Sequence, residues 1–532
     1  MLKKLNLYLY TIRRMKLSMI AFRLKPQKKL TSEQLSMKRP LDRNKTIVMA
    51  ETDLAADYLS RFDVESLLKG DLFLLNEWHK FNFETWSVPE ASHLWNFNLH
   101  YFEYCIPLAA KWAETKEERY WNYFKFLIQS WMDSCKYPRG DAWHPYTISL
   151  RLINWLVSRE LFADALETDN VFDSAMQESM YAQYRHLLAN QEKHLLANHY
   201  FENLKTLLIM SRLFNEEDVY TGIFKDFCNQ LNEQILPDGV HFERSLMYHK
   251  LILEGLMRVS LIEKQYGGAN QLLIEKMQNM LNAMCSLEKG MGKTPFFNDA
   301  ADGIAKTGEQ LRCVCAREFE LIADETICDF PDAGYYKMYS PNKRAAVMVD
   351  AGMPGPSYVL GHAHCDALSY ELSVDEKPVV VNCGTYAYQT PLRSYYRSTK
   401  AHNTFQIAGK EQMECWGEHR VAKCYKGVFA MREGACSFAA NLVDGAVKLE
   451  REIVLTNSQL FIVDKAKNEP IASYVHVLNE RDARRVFSKE ATRTSKCFYS
   501  GEFGKKEEAV LVQLEGHSQI AYSIDFGDGL IG

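Results

Sequence analysis

An α+β multidomain architecture, helical in front and antiparallel β behind, follows from three features of the sequence. The chain has 532 residues, more than one hydrophobic core usually serves, so two folded domains with a short leading segment are expected. Between residues 53 and 330 apolar side chains recur at spacings of three and four, the period of amphipathic helices. From residue 331 onward the texture changes to short β-branched and aromatic runs. Helices followed by strands, without alternation of the two, argue against a parallel α/β sheet.

The leading segment, residues 1–52, begins MLKKLNLYLYTIRRMKLSMIAFRLK. Arg13, Arg14 and Lys16 interrupt its apolar run and no small-residue cleavage site follows, so the segment reads neither as a signal peptide nor as a membrane span. A basic amphipathic helix that packs on the protein is expected, with contact to a membrane surface as the second reading. A cytoplasmic location is favoured on that basis, with the periplasm as the alternative.

Helix faces are legible in Ile148, Leu152, Trp155 and Leu156, in Leu204, Leu207 and Leu208, and in Ile252, Leu256 and Val259. Between Pro145 and Pro331 only Pro237 and Pro295 occur, which allows long helices broken at those two points. Many amphipathic helices in series imply a bundle, a solenoid or a closed helical ring. Behind them AAVMVD at 345, YELSV at 370, PVVVN at 378 and AVLVQL at 509 read as strands, and Arg451 to Asp464 as a hairpin turning at Asn457 and Ser458. The boundary is expected near residues 328 to 340.

With 63 basic and 68 acidic side chains the net charge is -5, so no global field attracts nucleic acid, and an anionic ligand needs a local basic site. The 13 cysteines include no CxxC pair, which removes the usual redox and zinc-ribbon spacings and leaves small buried thiols in a reducing compartment. The 28 Tyr, 28 Phe and 9 Trp supply flat faces that can stack on sugar rings, although most large aromatics fill cores.

Three clusters could carry chemistry. In LLANHYFENLKTLL, Asn198, His199 and Glu202 form a polar patch on one face of an apolar helix, which either binds a ligand or hydrogen-bonds to neighbouring helices. In LPDGVHFERSLMYHK, a turn leads to Arg244 and, four residues on, Tyr248; an arginine at that distance could stabilise a tyrosinate, or simply be salt-bridged. In GHAHCDALSYELS, His362 and His364 alternate along an extended chain, and with His402 they could make up much of a zinc site, although an isolated HxH is a common accident.

Taken together, WNFNLHYFEY, NHYFENLKTLL, PDGVHFERSLMYH, FFNDAADGI, GHAHCDALSYELS and AHNTF resemble, in order and from about residue 93 to 410, the heparinase II/III family of polysaccharide lyases. The resemblance implies an (α/α) toroid over residues 53–330 followed by an antiparallel β-sandwich over 331–532. It implies that Asn198 and His199 neutralise a uronate carboxylate with Glu202 beside them, that Tyr248 is a general base, a general acid or both, and that His362 is the active-site histidine. It also implies a zinc site with His364 and His402, but the family's aspartate in the following strand is here Asn382, a poorer ligand.

Such residues suit β-elimination at a uronic acid. The reaction removes the C5 proton alpha to a carboxylate and expels the oxygen at C4, so the carboxylate must be neutralised while charge builds on it. Amide and imidazole donors do that, and a tyrosine or histidine can move the protons. Arg151, Arg244, Arg393 and Arg397 are candidates to hold a polyanion, and Trp95, His100, Trp143 and Tyr146 to stack on sugars or pack internally. Tyr386, Tyr388, Tyr395 and Tyr396 lie near the HxH segment without a spacing rule to choose among them. The expected partner is an acidic polysaccharide or oligosaccharide. Two other readings stand beside the lyase: a glycan-handling protein of capsule or exopolysaccharide biosynthesis with altered catalysis, and, ranked last, a zinc hydrolase, which lacks an HExxH or paired-carboxylate pattern.

Overall fold

A computed structural model describes residues 2–268, 270–444 and 447–527. The front of the chain is a double layer of helices. Cys105–Thr115, Pro145–Leu161, Ala197–Leu213 and Leu246–Gln265 neighbour one another in succession, and each is backed by the helix that follows it or lies next along the chain: Glu118–Ser134, Asn170–Ala189, Glu217–Gln234 and Gln271–Glu288. Burial follows the layering. Ala197–Leu213 and Leu246–Gln265 are buried nearly all round, whereas Glu217–Gln234 buries a stripe through Tyr220, Ile223, Phe227 and Leu231. This is the helix-pair arrangement expected of an (α/α) toroid.

Local chemistry sets the helix ends. Pro145 opens its helix at the first turn, where a missing N–H costs nothing, and Ser245 caps Leu246–Gln265 by accepting from the Tyr248 amide. Pro237 falls in the turn before that cap, as expected. Gly239 follows it at φ 85°, and a Cβ there would lie 2.3 Å from the Asn279 carbonyl oxygen, so this turn requires glycine.

Apart from a short hairpin of Asp71–Leu74 with Glu77–Lys80 in the helical half, strands begin at Asp329, inside the expected boundary. Asp329–Phe330, Tyr335–Tyr339, Ala345–Asp350, Tyr370–Val374 and Lys377–Val380 form an antiparallel meander in chain order. An eight-stranded antiparallel sheet is built around the long strands Gln459–Val477 and Glu507–Asp525. The expected hairpin is present, with Leu455 opposite Leu460. The two sheets share one core in which Val347, Tyr370 and Leu372 meet Ile453, Ile462 and Val512. Arg451 is fully buried there; it pairs with Asp464 and donates to the carbonyls of Leu368 and Asn403. The final residues of the β region, 528–532, lie outside the described residues.

Between the halves sits a small separate cluster of Met247, Tyr248, Phe296, Ala300, Ala301 and Phe503. The leading segment packs on the protein: helix α1 (Leu2–Arg14) lies against the β region, where the Trp416 indole donates to Thr11 Oγ1 at 3.1 Å, and a second helix, α2 (Leu17–Arg23), follows it. Among the described residues no helix is long and apolar enough to cross a membrane.

Candidate active site

A cavity of about 860 Å³ lies where the helical and β regions meet, and Asn198, His199, Glu202, Tyr248 and His362 all line it. Five of the residues singled out from the sequence therefore share one space.

The helical wall is the start of Ala197–Leu213. Leu196 and Ala197 have φ of 59° and 50°, and this turn delivers Asn198 and His199 into the first turn of the helix, where unpaired backbone N–H groups favour an anion. Asn198 Oδ1 has no hydrogen-bond partner. His199 Nδ1 lies 3.0 Å from Glu192 Oε1, and Asn203 Nδ2 holds the other Glu192 oxygen at 3.0 Å. Burial pushes the His199 pKa down, but the Glu192 carboxylate outweighs it and leaves the imidazole raised above its ordinary value. Glu202 is ion-paired with Lys205, so it reaches the cavity as half of a salt bridge.

The β wall is organised by Asp299, which the end of the helical region contributes through the motif FFNDAADGI. Its fully buried carboxylate meets His362 Nδ1 at 3.0 Å, His364 Nε2 at 2.8 Å and both terminal nitrogens of Arg393, and its backbone amide donates to the His362 carbonyl at 3.0 Å. Burial alone would raise the Asp299 pKa; Arg393 and the two histidines instead hold it well below the carboxylate range. With Nδ1 directed at that anion, His362 presents Nε2 toward Glu243 Oε1, 3.8 Å away. Burial raises the Glu243 pKa, and its Oε2 has no hydrogen-bond partner.

Tyr248 stands between the walls. Its ring lies 4.0 Å from that of His362, and its hydroxyl is 2.8 Å from the Tyr388 hydroxyl. Burial first, then Tyr388 and Asp299, push the Tyr248 pKa well above the ordinary phenol value, so it rests as a phenol. Asp299 and Glu243 went unassigned in the sequence although both lie in quoted motifs, and Tyr388 was one of four tyrosines that nothing separated. Nothing in the spacing shows that a carboxylate 63 residues from His362 lies beside it.

Several expectations are corrected. Arg244 does not support Tyr248: at φ 53° it precedes the helix and turns its guanidinium to the carbonyls of Met353, Gly355 and Asp332. Trp95 is fully buried and donates to the Glu77 carbonyl; Trp143 is buried likewise and donates to Cys135. His100 is buried with Nδ1 facing the Trp131 indole, and burial, aided by Arg151, pushes its pKa down to about 3. Tyr146 does line the cavity, 4.4 Å from the His199 ring. Arg151 binds Gln183 and the carbonyls of His100 and Ala142, Arg397 binds the carbonyls of Ala363 and Glu418, and both are buried away from the cavity lining, so neither reaches a polyanion there. Arg393 is committed to Asp299.

The donor set near His364 fits a metal differently from expectation. His364 gives Nε2 to Asp299, which leaves Nδ1 facing His402 Nε2 at 3.2 Å, and Asp366 completes a buried group whose ligand atoms lie within 4.8 Å of one another. Asp366 Oδ1 has no hydrogen-bond partner. Asn382 Oδ1 instead lies 3.3 Å from the other nitrogen of His402 and accepts from Ser369 and the Asn403 amide. Two imidazoles and a carboxylate suit zinc, and Asn382 is placed to orient a ligand in the manner of an outer-shell group.

A layered helical region is followed by antiparallel sheets, and a phenol, an imidazole and an amide face one cleft between them. The chain belongs to the heparinase II/III family: the heparinase II/III N-terminus model matches residues 17–314 and the heparinase II/III-like C-terminal model residues 324–518. Among solved structures it is similar to a heparinase III (15% identity, 96% of this chain and 89% of that one, TM-score 0.68). It is also similar to the heparinase III BT4657 gene product (15% identity, 95% and 88%, TM-score 0.61) and to the heparan sulfate lyase HepC of Pedobacter heparinus (14%, 97% and 88%, TM-score 0.58). At those identities the likeness is one of fold. No curated protein sequence matches the chain.

Proposed function

We propose that the protein is a lyase that cleaves a uronic-acid-containing glycan by β-elimination. The reading rests on one observation: Tyr248 and His362 pack against each other in the cavity that Asn198 and His199 also line. The uronate carboxylate binds at the start of Ala197–Leu213, where the Asn198 amide and the His199 imidazolium reduce its charge and favour the C5 carbanion. His362, its Nδ1–H donated to Asp299, has Nε2 free to accept the C5 proton, and the Asp299 anion stabilises the imidazolium that forms. Tyr248, resting as a phenol, donates to the departing O4 and is reprotonated through Tyr388. Zinc, where bound, would be held by His364, His402 and Asp366, and it would fix the segment that carries His362. Elemental analysis should then find zinc lost in His364→Ala and Asp366→Asn but retained in Asn382→Ala; equal loss in all three would return Asn382 to the ligand set.

A panel of uronate polysaccharides, assayed for the ultraviolet absorbance of the unsaturated product, tests the reaction. Activity on at least one polymer is expected. Asn382, in place of the carboxylate expected there, favours the second reading, a glycan-handling protein of capsule or exopolysaccharide biosynthesis with altered catalysis. That reading gains if the protein binds such a polymer and releases no unsaturated product.

A further inference from the structure

The cavity has a wall that belongs to neither half. Thr11, Arg14, Met15, Met19 and Arg23, all from the leading segment, line it together with the catalytic groups. That segment is pinned at both sides of the cleft. On the β side Thr11 Oγ1 and Arg14 Nε donate to the carbonyls of Val421 and Ala422 at 3.3 and 3.2 Å, and Tyr8 packs edge-on against Trp416 with ring centroids 4.7 Å apart. On the helical side Lys16 is ion-paired with Glu233, while its ammonium also lies over the ring of Tyr358 from the β region. α1 and α2 thus bridge the two halves across the space a sugar chain would occupy.

The cavity's charges are also unevenly matched. Arg61, Lys205 and Arg258 are each paired with carboxylates, namely Glu103, Glu202 and Asp53. Arg14 and Arg23 of the strap, and Arg420 of the short hairpin that pairs Cys415–Trp416 with Arg420–Val421, have no ion-pair partner among the described residues. Lys306 also lacks an ion pair, but it is buried and donates to the Thr52 carbonyl, so the solvent-accessible uncompensated positive charge lies at the bridged end. The cavity's volume of about 860 Å³ falls within the ~300–1,000 Å³ range of small-ligand sites.

We infer that the strap closes one end of the cleft, so that the protein takes a uronate chain by its terminus, holds the terminal acidic sugars on Arg14, Arg23 and Arg420, and releases short products. This deepens the lyase reading and rests on it for the release step; the terminal binding does not depend on catalysis.

Two measurements separate the ideas. In the first, product lengths are followed from the earliest turnovers on a uronate polymer. Short unsaturated fragments beside polymer of unchanged length are expected, and early mid-length fragments would overturn the inference while leaving the lyase intact. In the second, Tyr248→Phe protein is titrated with fractionated oligouronates of increasing length. Saturation at one or two proteins per chain regardless of length supports terminal binding, and stoichiometry that rises with length refutes it whether or not the wild type is catalytic. Lys16→Glu, which turns the Glu233 contact repulsive, releases the strap without deleting it and should shift products toward mid-length fragments. Arg14→Ala with Arg23→Ala should raise KM for oligosaccharides severalfold at nearly constant kcat.

Discussion

The two walls of the cleft are built on opposite principles. On the β wall one buried carboxylate, Asp299, fixes His362, His364 and Arg393 at once, so each group is positioned by the others. On the helical wall His199 depends on the single pair with Glu192, and Asn198, whose Nδ2 is the donor a carboxylate needs, makes no side-chain hydrogen bond among the described residues. The contrast assigns the labour. A base needs its tautomer and direction fixed beforehand, whereas groups that neutralise a carboxylate must keep hydrogen-bonding capacity for the ligand.

Substitutions can break that contrast, and the largest effect should come from the residue between the walls. Tyr248→Phe is expected to lower kcat by roughly 10²–10⁴-fold, the worth of a positioned proton donor, with little change in KM. A variant as active as wild type would remove the phenol from the chemistry. On the β wall, Asp299→Asn should cost about 100-fold in turnover through misoriented histidines. The same change leaves Arg393 buried without its anion, for which about 3–5 kcal/mol of stability should be lost in denaturant melts. Unchanged stability with collapsed activity would show that the network is less tightly coupled than its geometry implies.

The helical wall should respond more mildly. Asn198→Ala removes one hydrogen bond to a charged ligand, about 1.5 kcal/mol or roughly tenfold in kcat/KM, without affecting the melt. The smallest effect separates tuning from positioning. Glu192 keeps the His199 imidazolium charged to higher pH than usual, so activity that needs the cation falls on the alkaline side as His199 deprotonates. Removing the carboxylate in Glu192→Gln lowers that pKa and should move the alkaline limb of the pH–rate profile to lower pH. A limb that stays in place would assign it to another group.

Much of the fold was legible because burial imposes period. The inner helices, the 451–464 hairpin and the change near residue 330 all follow from where apolar residues recur. The site was legible only where motif residues happened to face the cleft, as Asn198, His199, Tyr248 and His362 do. Arg244 shows why spacing alone misleads: the four-residue relation to Tyr248 holds on a helix, but the helix begins at Leu246. The motif WNFNLHYFEY points Trp95 and His100 toward the site, whereas packing decides whether an aromatic meets a ligand or a neighbour. Asp299 was illegible for a further reason, since its partners come from distant parts of the chain and no local rule brings them together.

The front and rear of the molecule each own a core, but they also share one: Val240, Leu246, Leu287, Met291 and Phe297 pack with Phe330, Tyr335, Ala346 and Met348, and Lys293 is ion-paired with Glu371 across the same seam. Pulling the bodies apart would wet that apolar surface and strand the buried charges. Heat or denaturant should therefore dissolve both in a single step, with turnover and the helical and sheet signals lost together.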